Sequence, residues 1–431
     1  MAEKIRVGML GLGTVGRGVA RIFRDNGDLL ARRVGIELVL SKILVRDPAK
    51  NRGLELPPGM LTTNSREILD NPDIDIVIEV IGGTGAALEF VKQALKRGKS
   101  VVTANKDMIA AHGKELFALA QAHRCDLLFE ASVAGGIPII RALKQCLAAN
   151  RIEEVIGIVN GTTNYMLSKM SAEDAQFEDV LRDAQKKGYA EADPTNDIEG
   201  YDAARKLAIL ASIAFNSRVE VEDVYVEGIT RITAEDITYA RELGYVIKLL
   251  AIARDTPEGI EARVHPALLP ESHPLSAVND VFNAVFVKGD AVGDTMFYGR
   301  GAGELPTASA VVADVMDAAR NIRYKVPGLI GCTCFTEKPI KPMGRVVSRN
   351  YVRLNVVDKP GVLAQIATVF GNNMVSLAAV TQKVTVNQNA ELVVITHDVA
   401  EENVRSAIAT LADLPVVNAI HNVIRVVGET A

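Results

Sequence analysis

Apolar positions in the first 130 residues form short, nearly continuous runs separated by stretches of helical spacing. Ile5–Leu10 reads as a buried strand, with a helical pattern following from Val15 to Phe23. Further strands are predicted over Ile36–Val45, Ile74–Ile81 (interrupted by Asp75 and Glu79), Ser100–Thr103 and Leu127–Phe129, with a helix over Gly85–Arg97. Strands of this kind alternating with helices predict a parallel sheet covered on both faces. The pattern then changes. A helix over Ile139–Leu147 and a strand over Ile152–Asn160 lead into a second helix from Tyr165. Strand-like runs at Val224–Gly228, Ile260–His265 and Asn283–Gly289 surround a long helical reading over Ala234–Ile252, and another helix is expected over Thr307–Asn321. From Asn350 the order becomes strand Tyr351–Val356, helix Val362–Gly371, strands Val375–Val384 and Glu391–His397, helix Glu401–Leu411 and strand Val416–Val427. That order is βαββαβ, a ferredoxin-like layout.

The turn after the first strand is Gly11-Leu12-Gly13-Thr14-Val15-Gly16. Between a strand and a helix this spacing reads as a dinucleotide grip. Gly11 makes the tight turn, Gly13 lets a pyrophosphate approach the backbone, and Gly16 lets helix pack on strand. The second strand ends at Arg46-Asp47, where the adenosine ribose is read. An arginine there favours the 2′-phosphate of NADP and an acid the 2′-hydroxyl of NAD, so NADP is expected with NAD as the alternative. Thr103-Ala-Asn105-Lys106 follows a strand's carboxyl end, from which a lysine can reach the nicotinamide.

The turn Glu130–Pro138 offers one carboxylate and glycine-rich carbonyls, which suit either a hard cation or a plain helix cap. Gly161-Thr162-Thr163-Asn164 can cap the helix that follows or hydrogen-bond a substrate. Asp290–Gly303 is glycine-rich and is expected to be a loop that closes over the cofactor.

The stretch with the most chemistry is Ala184–Lys206, which gathers Glu191, Asp193, Asp197, Glu199 and Asp202 around Gly188, Pro194 and Gly200 before an apolar helix. Asp202 and Lys206 are four apart and share a helix face. A partly buried lysine held by a carboxylate can donate or accept a proton. Glu191 and Asp197 suit a substrate ammonium group.

Composition narrows the class. With 48% hydrophobic and 23% charged residues over 431 positions, the chain is globular and long enough for two or three domains. A net charge of −5 without a basic block argues against nucleic acid or an anionic membrane as partner. The start lacks the regions of a secretory signal, no apolar run reaches membrane length, and four scattered cysteines fit a reducing compartment, so a cytoplasmic location is expected. Cys332-Thr-Cys334 lacks a second ligand pair at zinc spacing, and neither Cys125 nor Cys146 has a histidine placed to activate it as a nucleophile.

The acidic stretch resembles the signature of homoserine dehydrogenases, matching at Ala184, Gly188-Tyr189-Ala190, Asp193-Pro194, Asp197-Ile198, Gly200, Asp202 and Lys206. The same family accounts for the glycine loop, for Thr103–Lys106 and for Glu130–Pro138. Asp358–Leu363, DKPGVL, resembles the loop of an ACT domain. The resemblance implies NAD(P)-dependent interconversion of L-aspartate 4-semialdehyde and L-homoserine in threonine and methionine biosynthesis. It implies Lys206 as the acid/base residue with Lys106 a second lysine at the site, and Glu191 and Asp202 as substrate ligands, to which the residue chemistry adds Asp197. It adds Gly303 to the nucleotide contacts at Gly11, Leu12, Gly13, Thr14, Val15, Gly16, Arg46 and Lys106. It also implies a structural sodium-type ion held by Glu130, Val133, Gly135 and Ile137, threonine as effector of the ACT domain, and a homodimer or homotetramer. The expected division is a Rossmann-type domain over 1–132 completed by a helix near 304–322, an α+β catalytic and dimerisation domain over 133–303, a linker over 323–349 and the ACT domain over 350–427.

Overall fold

The computed structural model describes residues 4–386 and 388–428. It falls into two compact units, one built from the stretches up to Val155, 208–222 and 283–337, the other from 156–207, 223–282 and 338 onward.

The first unit carries six parallel strands: β1 (Lys4–Leu10), β2 (Glu37–Leu44), β3 (Leu61–Thr62), β4 (Ile76–Glu79), β5 (Ser100–Thr103) and β6 (Leu127–Leu128). Their order is β3-β2-β1-β4-β5-β6, with every pairing parallel. This is the doubly wound Rossmann arrangement, and its order reverses between β1 and β4, the point at which such sheets bind ligands. All four residues of β4 and of β5 are buried, as continuous apolar runs require when helices cover both faces. Helix Thr14–Val34 runs further than the sequence pattern shows and stops at Gly35, whose left-handed φ of 78° lets its N–H reach the Ala31 carbonyl. The helix packs on helix Glu304–Tyr324. A Cβ on Gly18 would lie 2.4 Å from the Glu304 carbonyl oxygen, so only glycine admits this approach. Val7, Met9, Val19, Phe23, Val311 and Val315 fill the core between sheet and helices.

In the second unit, strand Tyr245–Thr256 pairs antiparallel with Gly259–Pro270. The helix predicted over Ala234–Ile252 is therefore corrected: helix ends at Glu242, and Gly244 at φ 78° turns the chain into a strand. The run from Tyr245 to Ala253 is buried on nearly every residue, so it carries no alternation to separate strand from helix. The C-terminal part is βαββαβ as expected, with sheet order 417–426, 347–357, 389–396, 377–386, all antiparallel. Ile366, Phe370, Val404 and Leu411 of its two helices share one core with Val352, Leu354 and Val394 of the sheet. This sheet does not end at its own edge. Arg425 and Val426 pair in parallel with Ala267 and Leu268, which continues the sheet into the Gly259–Pro270 strand.

The glycine-rich segment before helix Glu304–Tyr324 is also corrected. Gly293–Arg300 is a strand paired with Phe282–Gly289, not a loop over the nucleotide, and only Gly301–Gly303 precedes the helix as a turn. Its largely exposed residues lack the apolar alternation that marks a strand. No described helix is long and apolar enough to cross a membrane.

Candidate functional site

The nucleotide half is built at the carboxyl ends of β1, β2, β4 and β5. Gly11 holds φ 104°, and a Cβ there would lie 2.9 Å from the Val80 carbonyl oxygen. Gly16 sits so close to the turn that a Cβ would meet the Gly11 carbonyl oxygen at 2.5 Å. Gly13 differs: a Cβ would meet nothing within 4 Å. The protein has no use of its own for glycine at this position, and the open space lies at the uncapped N-terminus of helix Thr14–Val34. The cradle fits a pyrophosphate. The Gly11 N–H donates to the Leu44 carbonyl at 3.0 Å, which ties the loop to the end of β2 and thus to Arg46. Asp47 spends its carboxylate on the Ala49 N–H at 2.9 Å, whereas Arg46 is exposed. Gly303, at φ 124°, opens helix Glu304–Tyr324, and Glu304 in that first turn pairs with Arg17 at 2.8 Å and Arg21 at 3.0 Å.

A network not foreseen from the sequence fixes the other end of the crevice. Glu79 is fully buried, accepts the Ile81 and Gly82 N–H groups at 2.8 and 2.9 Å, and accepts the Thr103 hydroxyl at 2.6 Å. Asn105 donates to the Gly83 carbonyl at 2.8 Å and caps the helix whose first residue is Lys106 by accepting the Met108 N–H. These bonds lock the two loop ends beside Lys106. Glu79 as an acid inside an apolar strand was the visible signal.

The second unit holds the acid-rich stretch. Gly188 and Gly200 both adopt left-handed φ, and a Cβ on Gly200 would press on the Val226 and Val264 side chains at 3.2 Å. Helix Tyr201–Ala214 starts there and carries Asp202 and Lys206. The Lys206 ammonium donates to Asp202 Oδ2 at 2.7 Å and to the Val159 carbonyl at 2.7 Å. Asn160 joins the acids: its Nδ2 donates to Asp197 Oδ1 at 2.7 Å and Asp202 Oδ2 at 2.9 Å, while its Oδ1 accepts the Thr163 N–H and caps helix Gly161–Glu173. Burial pushes the Asp197 carboxyl above the usual range, the Asn160 bond opposes this, and Asp202 nearby adds to the rise. The structure thus brings Asp197, Asp202 and Lys206 into one network. Glu191 stands exposed on the loop outside it, and Asp193 caps the short turn at Thr195. Asn164, expected as a cap or substrate ligand, is instead buried and donates to the carbonyls of Val278, Asp280 and Phe282. Thr162 binds the Tyr189 carbonyl at 2.7 Å.

In the turn after β6, both Glu130 carboxylate oxygens accept backbone N–H groups, from Ile140 at 2.7 Å and Arg141 at 2.8 Å. The Ile137 carbonyl accepts the Ile139 N–H. Among the described residues the carbonyls of Val133 and Gly135 take no backbone donor. They flank Ala134 at φ 54°, and Gly135 itself lies at φ 50°, where a Cβ would strike the Gly301 carbonyl oxygen at 2.2 Å. Two carbonyls without a backbone donor on a strained, fixed turn suit an oxygen-seeking monovalent ion, while the Glu130 side chain serves as a cap. No described group of three acidic, histidine or cysteine side chains is placed to hold a metal.

A Rossmann sheet with an open glycine cradle, a lysine–carboxylate site and a C-terminal ACT unit define a nicotinamide-dependent oxidoreductase. The chain belongs to the homoserine dehydrogenase family. The family description "Homoserine dehydrogenase, NAD binding domain" matches residues 11–130, "Homoserine dehydrogenase" residues 138–316 and "ACT domain" residues 350–416. The homoserine dehydrogenase of Bacillus subtilis is 46% identical over 428 residues, 99% of each chain. The crystal structure of a homoserine dehydrogenase from Thiobacillus denitrificans matches with TM-score 0.93 and 47% identity over 98% of each chain. A hyperthermophilic archaeal homoserine dehydrogenase in complex with NADPH matches with TM-score 0.62 and 28% identity, over 73% of this chain and 98% of that one.

Proposed function

We propose that the chain reduces L-aspartate 4-semialdehyde to L-homoserine, and runs the reverse oxidation, with NADP as the preferred cofactor. The observation that carries this reading is the anchoring of Lys206. Of its three ammonium protons two are held, by Asp202 and by the Val159 carbonyl, and the third remains for a substrate oxygen. The bound nicotinamide supplies or takes the hydride. Lys206 stabilises the alkoxide that forms at the aldehyde oxygen and delivers its proton; in the oxidation it removes the hydroxyl proton. Asp202 holds Lys206 in place, and Asp197, with Glu191 from the loop, takes the substrate ammonium group. Lys106, at the head of its helix beside the Glu79–Thr103–Asn105 network, serves as a second lysine toward cofactor and substrate.

The pyrophosphate of the bound cofactor would lie on Gly11–Gly16, Gly303 would contact the nucleotide, and Arg46, with Asp47 engaged in its own turn, would read the 2′-phosphate. A sodium-type ion on the 130–137 turn orders the backbone and takes no part in the chemistry. The ACT unit takes threonine as feedback effector, and the assembly is a homodimer or homotetramer. The test is homoserine oxidation assayed with NADP and NAD, each with and without threonine. Turnover with a higher kcat/KM for NADP, inhibited by threonine, is expected. Absence of homoserine-dependent cofactor reduction overturns the reading.

A further inference from the structure

Two thiols unused by this chemistry meet at a small cavity of the first unit. Cys332 and Cys334, one residue apart, line it with Lys144, Arg218, Phe117 and Phe129. The Lys144 ammonium donates to the Gly331 carbonyl at 2.8 Å and lies 5.2 and 5.4 Å from the Phe117 and Phe129 ring centres, so the cation is fixed beside the thiols. Both thiols line the same cavity, and the Cys334 thiol donates to the Ser212 carbonyl at 3.6 Å. The neighbouring Cys334 thiol is the first reason the Cys332 thiol titrates low, at about 5, with Arg218 and Lys144 adding to it against the opposing effect of burial; the Cys334 thiol is held high in turn. Buried Cys125, by contrast, is pushed up to about 12 by burial.

We infer that Cys332 and Cys334 form a reversible dithiol–disulfide site whose oxidant is a small hydroperoxide. Three features select this chemistry. Cys332 is exposed, and a cation-stabilised thiolate is the reactive form of cysteine. The cavity of about 30 Å³ beside the thiols has room for a molecule the size of water or hydrogen peroxide. Two residue steps keep the Cα atoms within about 7 Å, so a disulfide lies within reach of the pair. In the reaction the Cys332 thiolate attacks one peroxide oxygen, the O–O bond breaks, and a sulfenic acid and hydroxide result. The Cys334 thiol then attacks the Cys332 sulfur and expels the second oxygen as water. Two thiols and one peroxide become one disulfide and two waters.

The experiment treats the full chain with one equivalent of hydrogen peroxide and counts thiols after denaturation, with peptide mass mapping. Thiols should fall from four to two per chain, with a Cys332–Cys334 link that dithiothreitol reverses. Cys334→Ser should stop at a sulfenic acid on Cys332 that dimedone captures. Lys144→Met should slow thiol loss about tenfold by removing a thiolate-stabilising charge. Oxidation confined to exposed Cys146, a disulfide between chains, or equal thiol loss in Cys332→Ser would each overturn the proposal.

Discussion

Replacing Asn160 by aspartate separates positioning from folding. The Oδ1 atom that accepts the Thr163 N–H survives in Asn160→Asp, so the helix cap remains. The Nδ2 donor to Asp197 and Asp202 is lost. Each hydrogen bond to a charged group contributes roughly 1.5–3 kcal/mol, so about 3–6 kcal/mol of positioning is at stake. The new carboxyl, beside two acids, has a raised pKa and keeps its proton at lower pH, which restores one donor of the two. The net loss there is roughly 1.5–3 kcal/mol, or about 10- to 150-fold in kcat/KM for homoserine. As pH rises and the proton leaves, both bonds are lost and repulsion is added, so the mutant-to-wild-type ratio falls with increasing pH. Steady-state homoserine oxidation over a pH range of about 6 to 9 reads both effects, with KM for the cofactor as control. A ratio near one, a ratio that rises with pH, or an effect confined to the cofactor KM would refute the reasoning.

Gly13→Ala should leave the melting temperature unchanged, because its methyl group enters open space, and should raise the cofactor KM about tenfold or more by obstructing the pyrophosphate. Arg46→Ala should lower kcat/KM for NADPH and leave that for NADH nearly unchanged; an unaltered ratio removes it as the phosphate reader. Arg425 is buried and pairs with Glu401 at 2.6 Å and Glu227 at 2.7 Å. Arg425→Met strands these carboxylates and should cost about 3–5 kcal/mol, visible in calorimetry as a clear fall in melting temperature.

The Rossmann half was legible because Gly11 and Gly16 each have a steric reason within the fold and Gly13 leaves space for a ligand, and the lysine–acid pair because i,i+4 spacing on a helix forces proximity. Asn160 and the Val159 carbonyl were not legible: they meet Asp202 and Lys206, respectively, from a strand end more than 40 residues away. The strand Tyr245–Thr256 was misread because burial on both faces erases period two, although Gly244 was there to mark the break. The Glu130 turn kept two readings open: its carboxylate caps the helix start, while among the described residues the Val133 and Gly135 carbonyls take no backbone donor.

The central claim is that Lys206, held by Asp202 and the Val159 carbonyl, moves the proton. Its most direct test is Lys206→Ala assayed for NADPH-dependent reduction of aspartate semialdehyde, with NADPH affinity measured by fluorescence titration on the same sample. The account predicts a loss of kcat of about 10²-fold or more with cofactor affinity unchanged. Turnover within a few-fold of wild type, at unchanged affinity, would contradict it.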